Sequence, residues 1–520
     1  MLIRENLRLE SNARIDGRDE LIRKLNLKES PTDDELILHA YEAWGEDCVK
    51  HLIGDFAFAI WDDRKQRLFC ARDHFGVKPF FYTHISNNFN CGSTLNDLRV
   101  DPNVSDKLNE IAVGDYLLFG VNQNLSTTIF KDIQRLPPGH SLTLSDGTIK
   151  IRRYWTPSCS DKVRFRDPAS YVERFSELLS RAVKDRLRTS RVAVSMSGGL
   201  DSTSLAAVAR TQLNDNSAVH GFCLVYDRVL PDEERHYSTI AANHLGIPIT
   251  HLDGDRYPLF HEHEPGDMNQ PEPFLLSPLA GQFHSLLRGC ANFGPVALTG
   301  YDGDSFMNVP PPLKIRTRVK RQLYRKLPIH ILLPRWVKRS FAKRTHLAER
   351  LKHSQTDPVD VASPLNPIWT ALFEGYDPGA TKLALEVRHP FMDVRLIEFL
   401  LSIPLSPWRI NKHILRQSMK DQLPEAVLNR DKTPLAGDLT LQLATRASVR
   451  WLDSFEVSPQ LRDFVDLSCR RKFLDEKTSD GRWANLRVFA LNYWLLRSRR
   501  SSTNDLNRPD CLNMEIMHGT

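Results

Sequence analysis

The chain has 520 residues, 41% of them hydrophobic and 26% charged, the balance of folded globular domains, and it is too long for one core, so two or three domains are expected. No apolar run approaches the ~20 residues of a membrane-crossing helix, and the opening Met-Leu-Ile-Arg-Glu-Asn lacks the apolar core of an export signal. The net charge of +6 is concentrated: 314–352 holds fourteen Lys and Arg against the single acid Glu349, which leaves the remainder mildly acidic.

In chain order, Asp55 to Ile60 alternates bulky residues with alanines, and the turn-like stretch Asp62 to Gln66 leads into Leu68 to Ala71, the pattern of an antiparallel hairpin. A loop at Asp73–Pro79 and short strands at Phe80–Tyr82, Ser141–Leu144 and Thr148–Arg152 extend a β-rich region to about Pro157. Beyond it, Val172, Phe175, Leu179, Ala182 and Val183 mark an amphipathic helix. A strand at Val192–Met196, a helix carrying Leu205, Val208, Ala209 and Leu213, a strand at Val219–Tyr226 and a helix from near Asp232 then alternate in the α/β manner. Trp483, Leu486, Val488, Leu491 and Trp494 mark a last long helix, and a polar tail begins near Ser501.

Between the first α/β strand and its helix lies Ser197-Gly198-Gly199-Leu200-Asp201-Ser202. Adjacent glycines let backbone N–H groups close around a phosphate, and the helix N-terminus adds partial positive charge. Ser197 and Ser202 supply hydroxyl donors, and Asp201 is placed to hold magnesium against the phosphates. There is no Gly-Lys-Ser/Thr ending, so this is not the Walker loop. It resembles the pyrophosphate-binding loop of enzymes that split ATP between its α- and β-phosphates and form adenylates.

Two further features have plain alternatives. The eight cysteines stand singly, with no CxxC pair, and fit a reducing, cytoplasmic setting in which most are small core residues. The basic segment 314–352 reads either as solvated helix faces over an apolar underside or as a docking arm for an acidic leader peptide, a protein partner or a membrane surface. No nucleic-acid-binding motif accompanies it, and none is expected to bind.

Gly54–Asp62, Ala71–Pro79 and Arg135–His140 resemble segments of the glutaminase domain of asparagine synthetases, and Glu386–Asp393 and Asn429–Leu435 resemble segments of their synthetase domain. The superfamily includes β-lactam synthetases and lasso-peptide macrolactam cyclases. The resemblance implies an α/β multidomain fold: a truncated, β-rich Ntn-type domain at 1–157, a PP-loop synthetase domain with a helical C-terminal part at 165–500, and a polar tail at 501–520. It implies ATP bound by Ser197, Gly198, Gly199, Asp201, Ser202 and Leu224, with magnesium on Asp201 and Asp304.

Departures from the asparagine synthetase pattern shape the functional expectation. Met1-Leu2 stands where glutamine-dependent members begin with a catalytic cysteine, and Arg14 replaces a carboxylate that holds the amino group of glutamine. Asp33 matches a glutamine-contacting aspartate but leaves the site degenerate, so no glutaminase activity is expected. In Thr299-Gly300-Tyr301-Asp302-Gly303-Asp304, Tyr301 stands where asparagine synthetases typically carry glutamate and β-lactam synthetases carry tyrosine. By that resemblance Tyr301 pairs with Glu386, the base for an attacking amine, and Lys432 stabilises the oxyanion and phosphates, with Lys412 a second choice for the lysine. The implied enzyme is an AMP-forming carbon–nitrogen ligase, a cyclase or other amine-using ligase. The alternative is an asparagine synthetase using ammonia, or glutamine if the natural N-terminus lies further upstream. An enzyme acting on tRNA and an inactive scaffold are the readings from other classes.

Overall fold

The computed structural model describes residues 1–86, 88–158, 162–213, 215–230, 232–261, 271–274, 276–309, 333–356, 365–430, 438–445, 455–470, 475–476 and 478–498. Lys432, the 314–332 half of the basic segment and the tail at 501–520 lie outside them. The N-terminal part contains β1 (Leu2–Arg4), β2 (Leu7–Asp16), β3 (Ile53–Asp62), β4 (Arg67–Arg72), β5 (Phe81–Ile85), β6 (Asn88–Gly92), β7 (Gln134–Arg135), β8 (His140–Ser145) and β9 (Thr148–Arg153). Six of these form an antiparallel sheet in the order β1-β2-β3-β4-β8-β9, and β6-β5-β7 form a smaller one.

The alternation in β3 explains this layering. Phe56, Phe58 and Ile60 pack on Leu36 and Ile37 of the helix Asp33–Trp44. Ala57 and Ala59 point the other way, against Phe80, Tyr82 and Leu142, where small side chains let the second layer lie close. The turn into β4 is held by Asp62, whose Oδ1 accepts from the Arg64 and Lys65 backbone N–H groups at 3.1 Å.

The larger part is wound on a parallel sheet of β10 (Val192–Ser195), β11 (Val219–Val225), β12 (Ile249–Asp253), β13 (Val296–Thr299) and β14 (Glu386–Arg388). The strand order is β12-β11-β10-β13-β14, so the chain reverses its winding direction between β10 and β13. In such a sheet the ligand crevice opens at that reversal, beyond the carboxyl ends of the strands. Ser197–Ser202 follows β10 and Gly300–Asp304 follows β13, so both motifs stand at the crevice. The helix Pro168–Leu187 leads into β10; Asp167 caps it, Pro168 opens it, and Phe175, Leu179, Ala182 and Val183 are buried as their spacing predicts.

The last helix, Ser479–Arg497, returns to the N-terminal part. Leu486, Phe489 and Leu491 share a core with Val113 and Tyr116 of the helix Glu110–Phe119. The described part of the basic segment joins the same core: Phe341 and Leu347 are fully buried, while Arg344 and Arg350 pair with Glu110 and Asp115. Among the described residues no helix is long and apolar enough to cross a membrane.

Candidate active site

The glycine loop is shaped by what surrounds it. A Cβ on Gly198 would lie 2.5 Å from Cβ of Tyr237 and 2.6 Å from Nη1 of Arg430, so no side chain fits there. The loop's hydroxyls are already oriented. Ser202 Oγ accepts from the Ser197 N–H at 2.9 Å, and Ser197 Oγ accepts from the Gly199 N–H at 3.1 Å. The Gly198 N–H donates to Glu234 Oε2 at 2.5 Å, so an anion's oxygen already sits on this amide. Leu224 is half-buried near the carboxyl end of β11, beside the crevice.

The second loop brings its carboxylate to the first. A Cβ on Gly303 would lie 2.5 Å from Cγ of Asp201, so a side chain there would displace the Asp201 carboxylate. Asp201 and Asp304 converge on the Lys412 ammonium, at 2.5 and 2.8 Å. Burial alone would lower the Lys412 pKa, but Asp201 and then Asp304 outweigh it and hold it above the ordinary lysine value. Two carboxylates gripping one cation fit a magnesium site whose other positions go to water and phosphate oxygens, with the ammonium as stand-in. Among the described residues no larger group of metal-binding side chains forms. Asp302 adjoins the pair at φ +70°, and burial, reinforced by Asp304 and Asp201, pushes its carboxyl up to about 7.

The expected pair of Tyr301 with Glu386 is not formed, and the sheet explains why. Tyr301 follows the carboxyl end of β13, where its hydroxyl bonds that of Tyr376 at 2.8 Å in a nest with Trp369 and His389. Glu386 is the first residue of β14, in register with Val296 at the opposite end of β13. Its carboxylate meets Lys78 at 3.1 Å, Arg388 at 2.5 Å and Arg14 at 3.8 Å. Burial favours its neutral form, but these three cations hold it well below the usual carboxylate range. A carboxylate so held is a weak proton acceptor. Of the two lysines considered, Lys412 is at the carboxylate pair, and Lys432 lies outside the described residues.

Arg14 does more than replace a carboxylate. It grips Asp16 with two bonds of 2.9 Å and Asp55 with one of 2.6 Å, all nearly inaccessible to solvent. Arg186 extends the cluster to Asp393 at 2.9 Å and Asp16 at 3.4 Å. Asp33 opens the helix Asp33–Trp44 and is paired with Arg18 and, at 2.7 Å, with Arg188 of the synthetase part. The matched arginines Arg72 and Arg135 both bind Glu374, at 3.0 and 2.7 Å, across the same junction. Sequence reasoning missed Glu234 and Arg430 at the loop. Arg430 lies within the segment 429–435, whose resemblance assigns it no role, and Glu234 carries no signal beyond its place at a helix start.

The profile of a glutamine amidotransferase domain matches residues 15–155, and that of asparagine synthase matches 174–496. Asparagine synthetase [glutamine-hydrolyzing] 3 of Bacillus subtilis is 29% identical over 81% of this chain and 73% of its own length. A putative asparagine synthetase [glutamine-hydrolyzing] 2 of Methanocaldococcus jannaschii is 30% identical over 57% of this chain and 60% of its own. Asparagine synthetase [glutamine-hydrolyzing] 2 of Bacillus subtilis is 26% identical over 78% of this chain and 58% of its own, so the chain spans about three-fifths to three-quarters of these relatives. With a β-rich first domain, a parallel-sheet second domain and both crevice motifs within the matched spans, the chain belongs to the asparagine synthase family.

Proposed function

We propose that the chain is an ATP-dependent, amide-forming ligase. An oxygen of the substrate carboxylate attacks the α-phosphorus of ATP and pyrophosphate leaves. An amine nitrogen then attacks the activated acyl carbon, the C–N bond forms, AMP leaves with the acyl oxygen, and the amine gives up a proton. The observation that carries this reading is the convergence of Asp201 and Asp304 on one cation beside the glycine loop. Ser197, Gly198, Gly199 and Ser202 would bind phosphate oxygens, with Leu224 on the nucleoside side, and Asp201 and Asp304 would hold magnesium. Bound there, magnesium supplies neutralisation of phosphate charge. Lys412 brings an ammonium to the same place, able to meet negative charge developing on the acyl group.

For the nitrogen source we favour an amine-bearing substrate, as in ring closure, without glutamine hydrolysis. The support is the state of the glutamine-side residues: Arg14 is saturated by Asp16 and Asp55, and Asp33 by Arg18 and Arg188. Asp16, Asp55 and Asp33 are thus each engaged by an arginine of the chain itself. A docked acidic peptide on 314–352 belongs to the same proposal. The second reading, aspartate converted to asparagine with ammonia, is favoured by the names of the relatives.

Pyrophosphate release from ATP and magnesium, measured with L-aspartate with and without ammonium and with direct detection of asparagine, separates these readings. Asparagine formed with ammonium selects the second. Pyrophosphate release that ignores aspartate but responds to a carboxylate carrying its own amine selects the first. Asp201→Asn and Asp304→Asn should each lower the rate by about 100-fold or more. Unchanged rates in both variants would remove the basis of the proposal.

A further inference from the structure

The partners of Arg430 are incomplete in a way that points at the phosphate loop. Its side chain is 8% exposed and lies over the Tyr237 ring at 4.3 Å. Nη2 donates to Glu234 Oε1 at 2.9 Å, while Nε and Nη1 are buried and have no acceptor among the described residues. A guanidinium carries five N–H donors, and leaving charged donors unmet in the interior is costly. The unmet Nη1 faces Gly198, since a Cβ on that residue would lie 2.6 Å from it. The other oxygen of Glu234, Oε2, occupies the Gly198 N–H. One carboxylate thus bridges the loop amide and the guanidinium, as an oxyanion of a ligand would.

We propose that Arg430 is a ligand of the pyrophosphoryl group of ATP, and that Glu234 is an internal anion holding Arg430 and the Gly198 amide until phosphate oxygens displace it. The charge pattern favours the pyrophosphoryl group over the nucleoside. Two cations reach the glycine loop, Arg430 beside Gly198 and Lys412 at Asp201. Its planar fork suits two phosphate oxygens at once. The inference rests on the reading that ATP binds this loop.

The test is calorimetric titration of full-length protein with magnesium pyrophosphate, magnesium ATP and AMP. Arg430→Met should weaken pyrophosphate by about tenfold or more and leave AMP unchanged, and Arg430→Lys should recover part of the loss. Glu234→Gln should tighten pyrophosphate several-fold, because a competing anion is gone. In the double variant the Arg430→Met loss should persist, which a residue serving only to restrain Glu234 would not produce. Wild-type binding of pyrophosphate with unchanged affinity in Arg430→Met, or a loss that vanishes beside Glu234→Gln, overturns the inference alone. Wild-type protein that binds neither ATP nor pyrophosphate overturns the functional reading and this inference together.

Discussion

His389 sits one turn of logic away from the chemistry: its Nδ1 meets Thr299 Oγ1 at 2.7 Å, at the end of β13, and its ring is almost wholly buried. Burial lowers its pKa from 6.5 to about 3; Asp55 opposes the shift, and Arg186, Arg14 and Lys78 add to it. An unfolded imidazole takes up a proton near 6.5 and the folded one only near 3. Between those values the unfolded chain binds more protons, so stability falls as pH falls. His389 alone contributes up to about 1.4 kcal/mol per pH unit in that window. His389→Gln should therefore show a smaller drop in urea midpoint between pH 6.5 and 4.5 than the parent chain, with His74 still supplying part of the slope. An equal drop in both proteins would mean that the folded imidazole takes up its proton as readily as the unfolded one.

At the scale of elements, the two crevice loops depend on each other through glycine. Gly303→Ala places a methyl 2.5 Å from Cγ of Asp201, so the Asp201 carboxylate must move from its place beside Asp304. The expected cost is about 1–3 kcal/mol of stability, with pyrophosphate release falling far more than circular dichroism changes. A fully active Gly303→Ala protein would show that the carboxylates need not converge. These loops were legible in the sequence because their chemistry is backbone chemistry: glycine, hydroxyl and carboxylate at fixed offsets between a strand and a helix. The alternation of Phe56, Phe58 and Ile60 with Ala57 and Ala59 was legible for the same local reason. β1 and β2 were not, because Leu2–Asp16 carries Arg4, Glu5, Arg8, Glu10, Arg14 and Asp16 among its apolar residues. A sequence does not say which charges will be buried together. Arg14 and Asp16 are, gripping each other and joined by Asp55 and Arg186 from other elements.

For the whole molecule, Glu386 is paired not with Tyr301 but with cations that tie the two parts of the chain together. Lys78 lies 308 residues away in the chain, so no local pattern could pair it with Glu386. Around this contact runs a continuous set of ion pairs: Glu386 with Lys78, Arg388 and Arg14, Arg14 with Asp16 and Asp55, and Arg186 with Asp16 and Asp393. Removing one member of a buried network strands the charges it neutralised. Glu386→Gln keeps the shape and removes the charge, leaving Lys78, Arg388 and Arg14 facing one another. The expected loss is about 3 kcal/mol of stability, read as a lower denaturation midpoint. Pyrophosphate release measured well below that midpoint should be affected less than stability, since Glu386 lies at the far end of the sheet from Asp201. A base for the attacking amine would behave oppositely, with an unchanged midpoint, adenylation intact and amide formation lost. That second outcome would show that Glu386 leaves Lys78 and Arg388 during turnover, and that the junction opens when the enzyme works.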